Sequence, residues 1–228
     1  MPVVEAPRGP ARVEIEIPPD IARIWNERND GIVKYPHEVL RRPAAPVPPA
    51  STASLRSPAL RASAGAPGGL ASPMPAQDVR GLIHRMTQAM ITGNGVGLAA
   101  PQIGVSLRVL VYRLPVERQG EQEVGGQEFE PVRVLINPKI VHRKGEQVGP
   151  EGCLSIPFLR GDVPRAYEIV VKALDHEGRP VRRRASAFEA RVIQHEVDHL
   201  DGILFIDRAD PSTLHWLIEE EGEAPIED

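Results

Sequence analysis

The sequence predicts an α+β fold, with mostly antiparallel sheets packed around a central helix that carries the run His195-Glu196-Val197-Asp198-His199. Three observations point there. Short β-branched runs at Val109 to Tyr112, Val132 to Ile136 and Ile169 to Ala173 read as strands parted by polar or glycine-rich turns. Two other stretches keep the three-and-four spacing of an amphipathic helix. Strands outnumber helices and mostly precede the last two, which argues against alternating βαβ units.

In chain order, residues 1–19 are rich in proline and charge and read as irregular. Asp20 is placed to cap a short helix with Ile21, Ile24 and Trp25 on one face, stopped by Gly31. A short strand is expected just after it, at the start of 32–47. From Arg41 to Gln77 no acidic residue occurs, and Ala, Pro, Ser, Gly and Arg dominate. Such composition buries little apolar surface, so 48–75 reads as a flexible insertion. It shares the Arg- and Ser-rich, acid-poor character of a transit peptide, but its internal position excludes that. Asp78 then caps a helix whose stripe is Val79, Leu82, Ile83, Met86, Ala89 and Met90, ended by Gly93, with His84 off the stripe. Residues 117–130 read as a polar hairpin loop. Phe188 to Leu200 is the second helix, closed by Gly202, followed by a strand at Ile203 to Ile206 and a last helix from Pro211.

The bulk numbers exclude several classes. With 27 Lys plus Arg against 31 Asp plus Glu, the net charge is -4, and 4% of residues are aromatic. Sequence-specific nucleic-acid binding and base stacking are not signalled by such totals. Apolar runs fall far short of the roughly 20 residues that span a bilayer, and no cationic start leads into a hydrophobic run. One cysteine, Cys153, cannot form an internal disulfide, which fits a reducing compartment. A cytoplasmic protein with no membrane partner is expected.

The chemistry concentrates in three segments. In His195-Glu196-Val197-Asp198-His199 the histidines lie four apart, so on a helix both imidazoles face one ion, while Glu196 can meet a water without ligating. Two core histidines satisfied by hydrogen bonds are the bland alternative. A catalytic site needs three protein ligands and an open position. Cys153, in Glu151-Gly152-Cys153-Leu154-Ser155-Ile156-Pro157, is the natural third, with Asp175, His176 and Glu177 as competitors. The third segment is Gly95-Val96-Gly97-Leu98-Ala99-Ala100-Pro101-Gln102-Ile103-Gly104. It lacks the lysine of a phosphate loop, and its Gln102 amide suits an oxyanion.

Together and in this order, GVGLAAPQIG at 95–104, EGCLSIP at 151–157 and QHEVDHLDG at 194–202 resemble the peptide deformylase family. The likeness extends through 32–47 and 78–207. It implies a hydrolase that removes the formyl group from the N-terminal formylmethionine of new proteins, releasing formate. It further implies one divalent ion held by Cys153, His195 and His199, natively ferrous iron and often replaced by zinc or nickel. By the same resemblance Glu196 is general base and then acid, and Gln102 with the Leu154 N–H forms the oxyanion pocket. Gly97 pairs with substrate backbone, Val96, Phe188, Arg191 and Val192 line a methionine pocket, and Glu151 with Arg165 braces the cysteine segment. Gly149-Pro150 departs from the bulkier or charged residues of many relatives. The domain division that follows is an N-terminal extension at 1–31, a catalytic domain at 32–210 interrupted near 48–75, and a C-terminal helix with acidic tail at 211–228. N-formylmethionyl nascent polypeptides are the implied partners, with transient ribosome contact. A zinc endopeptidase is one rival, and a non-enzyme, either a closed structural zinc site or a ligand-binding relic, is the other; no second cysteine exists to complete a structural site.

Overall fold

The computed structural model of the chain describes residues 10–55, 79–116 and 127–217. Four α-helices are formed among them: α1 (Pro19–Glu27), α2 (Pro49–Ser54), α3 (Val79–Thr92) and α4 (Ala187–Leu200). The strands are β1 (Gly97–Ala99), β2 (Val109–Tyr112), β3 (Arg133–Lys144), β4 (Gln147–Cys153), β5 (Ile156–Arg165), β6 (Glu168–Leu174), β7 (Pro180–Ser186) and β8 (His215–Trp216). They make a five-stranded sheet in the order β1-β2-β3-β6-β7 and a three-stranded sheet β4-β5-β8. Every pairing between these strands is antiparallel. The class expected from the sequence, α+β, is the class found.

The five-stranded sheet is covered on both faces at its β1–β2 end, and β2 shows why. All four of its residues are buried, because alternate side chains serve two different cores. Val109 and Val111 pack with Val79, Leu82, Met86 and Met90 of α3. Leu110 and Tyr112 pack with Ala190, Ile193, Val197 and Leu200 of α4, joined by Ile169 and Val171 from β6. A third core gathers Ile21 and Trp25 of α1 with Cys153, Leu159, Val163 and the run Leu204 to Ile206. Helix α4 packs on the large sheet through its apolar face and reaches β4 and β5 through Arg191, His195 and Asp198, so the run His195 to His199 lies between the two sheets.

The end of α4 is set by backbone chemistry. Gly202 has φ +74, and a Cβ there would come within 2.8 Å of the Arg41 carbonyl oxygen. Any larger residue would meet both strain and a collision, so the chain turns here and nowhere else. At the end of α3 the left-handed residue is Asn94 (φ 54), not the expected Gly93. Gly93 is instead confined by Ala89, Ile32 and Leu154.

Several local expectations are corrected. The start of 32–47 forms no strand and runs into a 3-10 turn, Glu38–Arg41. In α1 the cap position is Pro18, without a side-chain cap, and Ile24 faces solvent while Ile21 and Trp25 are buried. Ile203 to Ile206 is not a strand: a 3-10 turn, Phe205–Asp207, buries Leu204, Phe205 and Ile206 together, which the alternation of a strand would not allow. From Pro211 a 3-10 turn, Pro211–Thr213, leads into β8 in place of a helix. The insertion near 48–75 begins with α2, and Leu55 joins the α3 core. Residues 1–9, 56–78 (with the Asp78 cap), 117–126 and 218–228 lie outside the described residues.

Candidate active site

Strands β4 and β5 were missed in the sequence because Gly149, Pro150, Gly152, Pro157 and Pro164 read as turn formers. Their ladder runs Gln147↔Arg165 to Glu151↔Gly161, then shifts register before Cys153↔Ile156. That irregularity re-aims Cys153 off the regular pleat, as bulges near sites do. The sulfur lies 3.2 Å from His199 Nε2. One donor atom from each of Cys153, His195 and His199 falls within 4.8 Å of the others, the one such group among the described residues. Asp175, His176 and Glu177, the rival third ligands, stand apart on the β6–β7 turn, with Asp175 bound to Arg179.

Burial would push the Cys153 thiol up, but His199 and His195 overcome it and hold the thiol well below its ordinary value. A thiolate with two imidazoles is a donor set suited to a divalent transition metal. His195 Nδ1 is 2.8 Å from Glu151 Oε2, which leaves Nε2 for the group. Glu151 in turn accepts two hydrogen bonds of 2.9 Å from Arg165, and Arg165 also contacts Asp198. Asp198 is further bound by Arg208 at 2.6 and 2.8 Å. Burial favours the neutral form of Glu151, yet Arg165 and His195 hold its carboxyl far below the usual range. Carboxylate partners of this kind fix the tautomer and orientation of a ligating imidazole.

Glu196 is 4% exposed, and its Oε2 is buried without a hydrogen-bond partner among the described residues. Desolvation raises its pKa to about 7 against the pull of His195 and His199. A carboxyl in that range can both take and return a proton near neutrality. Gly97 lies against it: a Cβ at 97 would stand 2.3 Å from Glu196 Oε1. Gln102 is 1% exposed and tightly oriented, its Oε1 accepting from Ala99 N at 2.8 Å. Its Nε2 is thereby aimed at Cys153 Sγ (3.5 Å) and Ser155 Oγ (3.3 Å). The backbone helps: Val33 N donates to Gln102 O and Tyr35 N to Ser155 O.

These groups open into a cleft of about 560 Å³ lined by Val96, Gly97, Gln102, Cys153, Leu154, Phe188, Val192, His195 and Glu196, among others. Leu154 sits on the tight turn between β4 and β5. Arg191 also lines the cleft, but its guanidinium is turned to β4 and β5, donating to Glu151 Oε1, Val163 O and Gly149 O. It braces the wall rather than offering a free cation. Of the residues singled out from sequence, Glu151 lines this cleft as well, and His199 and Arg165 adjoin it through Cys153 and Glu151, whereas Asp175, His176 and Glu177 do not reach it. Asp198, Arg208 and Ser155 were not anticipated; Asp198 sits inside the histidine motif, but nothing in its spacing marks a charge partner 33 residues away.

Residues 57–215 match the family model described as polypeptide deformylase. A peptide deformylase of Thermomicrobium roseum is 48% identical over 148 residues, 64% of this chain and 81% of that one. One of Acidobacterium capsulatum is 36% identical over 177 residues, covering 78% and 84%. Among solved structures, a class I type b peptide deformylase of Acinetobacter baumannii with Met-Ala-Ser bound is similar with a TM-score of 0.59, at 34% identity, over 78% of this chain and 96% of that one. The peptide deformylase of Synechococcus elongatus, in complex with actinonin, has a TM-score of 0.57 at 34% identity, over 78% of each chain.

Proposed function

Because the chain belongs to the polypeptide deformylase family, we propose that it hydrolyses the N-formyl group of formylmethionyl nascent polypeptides in a metal-dependent reaction, with Cys153, His195 and His199 as the ligands. The observation that carries this reading is the convergence of the lone cysteine with both motif histidines within 4.8 Å. The donors fit one divalent ion: a buried sulfur favoured as thiolate, and two imidazoles of which one is oriented by Glu151. Iron in the ferrous state is the native ion in this reading, with zinc or nickel as substitutes. When bound, the ion supplies a Lewis acid that makes water acidic enough to attack near neutral pH.

The chain's own residues do the rest. β1 is an edge strand of the large sheet, so the substrate backbone can lie along it beside Gly97. The side chain of the first residue enters the apolar part of the cleft at Val96, Phe188 and Val192. Met-Ala-Ser, bound in the Acinetobacter enzyme, is a peptide of the kind that remains once a formyl group leaves. Glu196 accepts the proton of the attacking water and returns it to the departing amine. Gln102 Nε2 and the Leu154 N–H donate to the developing oxyanion, each such donor being typically worth about 3 kcal/mol. Formate and a free N-terminus are the products.

In this reading residues 32–210 are the catalytic domain, 1–31 an extension, and the action cytoplasmic and co-translational. No helix among the described residues is long and apolar enough to cross a membrane. The test is formate release from formyl-Met-Ala-Ser after anaerobic purification, with metal measured in the same sample. Stoichiometric metal and turnover, both lost in Cys153→Ala, support the reading. Metal without any turnover of the formyl peptide overturns it.

A further inference from the structure

The mouth of the catalytic cleft is completed by a residue from the N-terminal segment. Arg28 lines the cleft together with Phe158, Arg160 and Leu217. It follows α1 directly, its N–H donating to Trp25 O at 3.3 Å. Trp25 is buried in the third core and packs on Trp216 of β8, with ring centroids 6.0 Å apart. β8 in turn pairs with β5 at Leu159↔Trp216, and Leu217 N donates to Phe158 O at 2.6 Å. Phe158 takes a left-handed backbone, φ 67, a strained conformation of the kind that gathers at ligand sites. The Arg28 guanidinium lies over its ring, 5.2 Å from the centroid, an arrangement that steadies a flexible cation. Arg28 stands ahead of every segment that resembles the deformylase family, whose model matches 57–215.

We propose that Arg28 makes the cleft favour formylmethionyl peptides with Asp or Glu at the second or third residue, by pairing with that carboxylate at the cleft mouth. The inference rests on the reading of this cleft as the deformylase site. Arg28 is exposed and has no ion-pair partner among the described residues. Of the acids near it in sequence, Asp30 is taken by Lys34 at 2.8 Å, and Glu27 does not line the cleft. Arg160 is a second cation on the same wall. It donates to Leu159 O at 3.3 Å and forms no ion pair among the described residues. A Cβ at Gly152 would overlap its guanidinium, so it stands against the cysteine segment. The carboxylates of the cleft, Glu151 and Glu196, are both buried, and Glu151 is already bound by Arg165, Arg191 and His195. The exposed charge at the mouth is therefore positive. An extended peptide advances about 3.3 Å per residue, so with methionine in its pocket the next two side chains are the ones within reach of the rim. A guanidinium fork meets a carboxylate with two hydrogen bonds, a match that it offers neither to an amine nor to an alkyl chain.

The experiment compares kcat/KM of the full chain on formyl-Met-Glu-Ser and formyl-Met-Ala-Glu with their lysine and leucine counterparts, taking formyl-Met-Ala-Ser as internal reference. Every peptide is amidated at its C-terminus, so the side chain alone carries the charge. At low salt the better glutamate peptide should exceed its lysine counterpart by about threefold to tenfold, as a partly exposed ion pair gained and a repulsion avoided allow. The ratio should shrink toward one in about 0.5 M KCl. Arg28→Glu should invert it, and Arg28→Lys should keep it in part. Arg23→Glu, on α1 but outside the cleft, should leave it as in the parent. Trp25 and Trp216 are the chain's two tryptophans and meet between α1 and β8, so their emission shows whether α1 stays docked in Arg28→Glu. If that helix is released, Arg28→Gln takes its place and should bring the ratio toward one. An unchanged ratio in a docked Arg28 variant, equal shifts in the Arg23 and Arg28 variants, or a parental preference for leucine over glutamate overturns the proposal. Calorimetric binding of amidated Met-Glu-Ser and Met-Lys-Ser gives the same ranking without turnover. Failure of the deformylase reading (no formate from any peptide) is thus distinct from failure of the Arg28 proposal (no ranking by charge).

Discussion

Gly97→Ala is the most incisive perturbation of the site. The added Cβ would lie 2.3 Å from Glu196 Oε1 and 2.9 Å from its carboxyl carbon. Carbon–oxygen contact is comfortable only beyond about 3.3 Å, so the carboxylate must retreat by roughly 1 Å. It can do so without unfolding the protein, since the atom struck is the end of a side chain and α4 is anchored elsewhere by Ala190, Ile193 and Leu200. A misplacement near 1 Å typically costs about a hundredfold in rate, or about 2.7 kcal/mol of barrier. The expected outcome is kcat for formyl-Met-Ala-Ser down about a hundredfold, with the metal retained at parental stoichiometry and the melting temperature little changed. Metal analysis, a thermal melt and single-substrate kinetics on one preparation decide it. A kcat within threefold of the parent would refute the reasoning, because Glu196 would then tolerate displacement. Loss of metal would refute it differently, by showing that Gly97 guards the ligands rather than the base.

Other expectations follow from the same geometry. Glu196→Gln, nearly isosteric, should keep the metal and lose about 10²–10⁴-fold in turnover; parental turnover would remove Glu196 from proton transfer. Arg165→Met strips a 2.9 Å bidentate partner from Glu151 and a contact from Asp198, both buried. Breaking a buried pair costs about 3–5 kcal/mol, and Arg191 and Arg208 remain to compensate, so the low end is expected in urea unfolding; a loss under about 1 kcal/mol would contradict this. Tyr112 is raised above its ordinary pKa, first by burial and then by Glu189, to which its hydroxyl donates at 2.8 Å. A raised native pKa gives stability that is present below the unfolded value of about 10 and is lost as pH climbs above it. The parent should therefore lose more stability between pH 9 and 11 than Tyr112→Phe, and equal slopes for the two would contradict the assignment.

What the sequence conveyed depended on whether its signal was local. The stripe Val79, Leu82, Met86, Met90 and the four-residue spacing of His195 and His199 are local, and α3 and α4 appear where expected. The β4–β5 hairpin is not local in that sense. Its prolines and glycines look like breaks, and only pairing with a second strand makes Gln147–Cys153 a strand. Pro49–Ser54 reads as linker from composition, but Leu55, 2% exposed, finds the α3 core. In the site, residue types at short spacing were legible: Cys153, both histidines, Glu196 and Gln102. The ion-pair chain from half-exposed Arg208 through Asp198, Arg165 and Glu151 to His195 was not, beyond the Glu151–Arg165 pair. A charged residue in sequence looks the same whether it is solvated or buried against a partner dozens of residues away.

The central claim is a carbonyl seat shaped for a formyl carbon, and one ratio tests it most directly. Specificity constants for formyl-Met-Ala-Ser and acetyl-Met-Ala-Ser are to be measured on the same anaerobic, metal-loaded preparation. The extra methyl must displace the carbonyl from Gln102 Nε2 and the Leu154 N–H, so the formyl peptide should be favoured by about a hundredfold or more. Equal specificity constants would contradict the account and leave a general metalloamidase in its place.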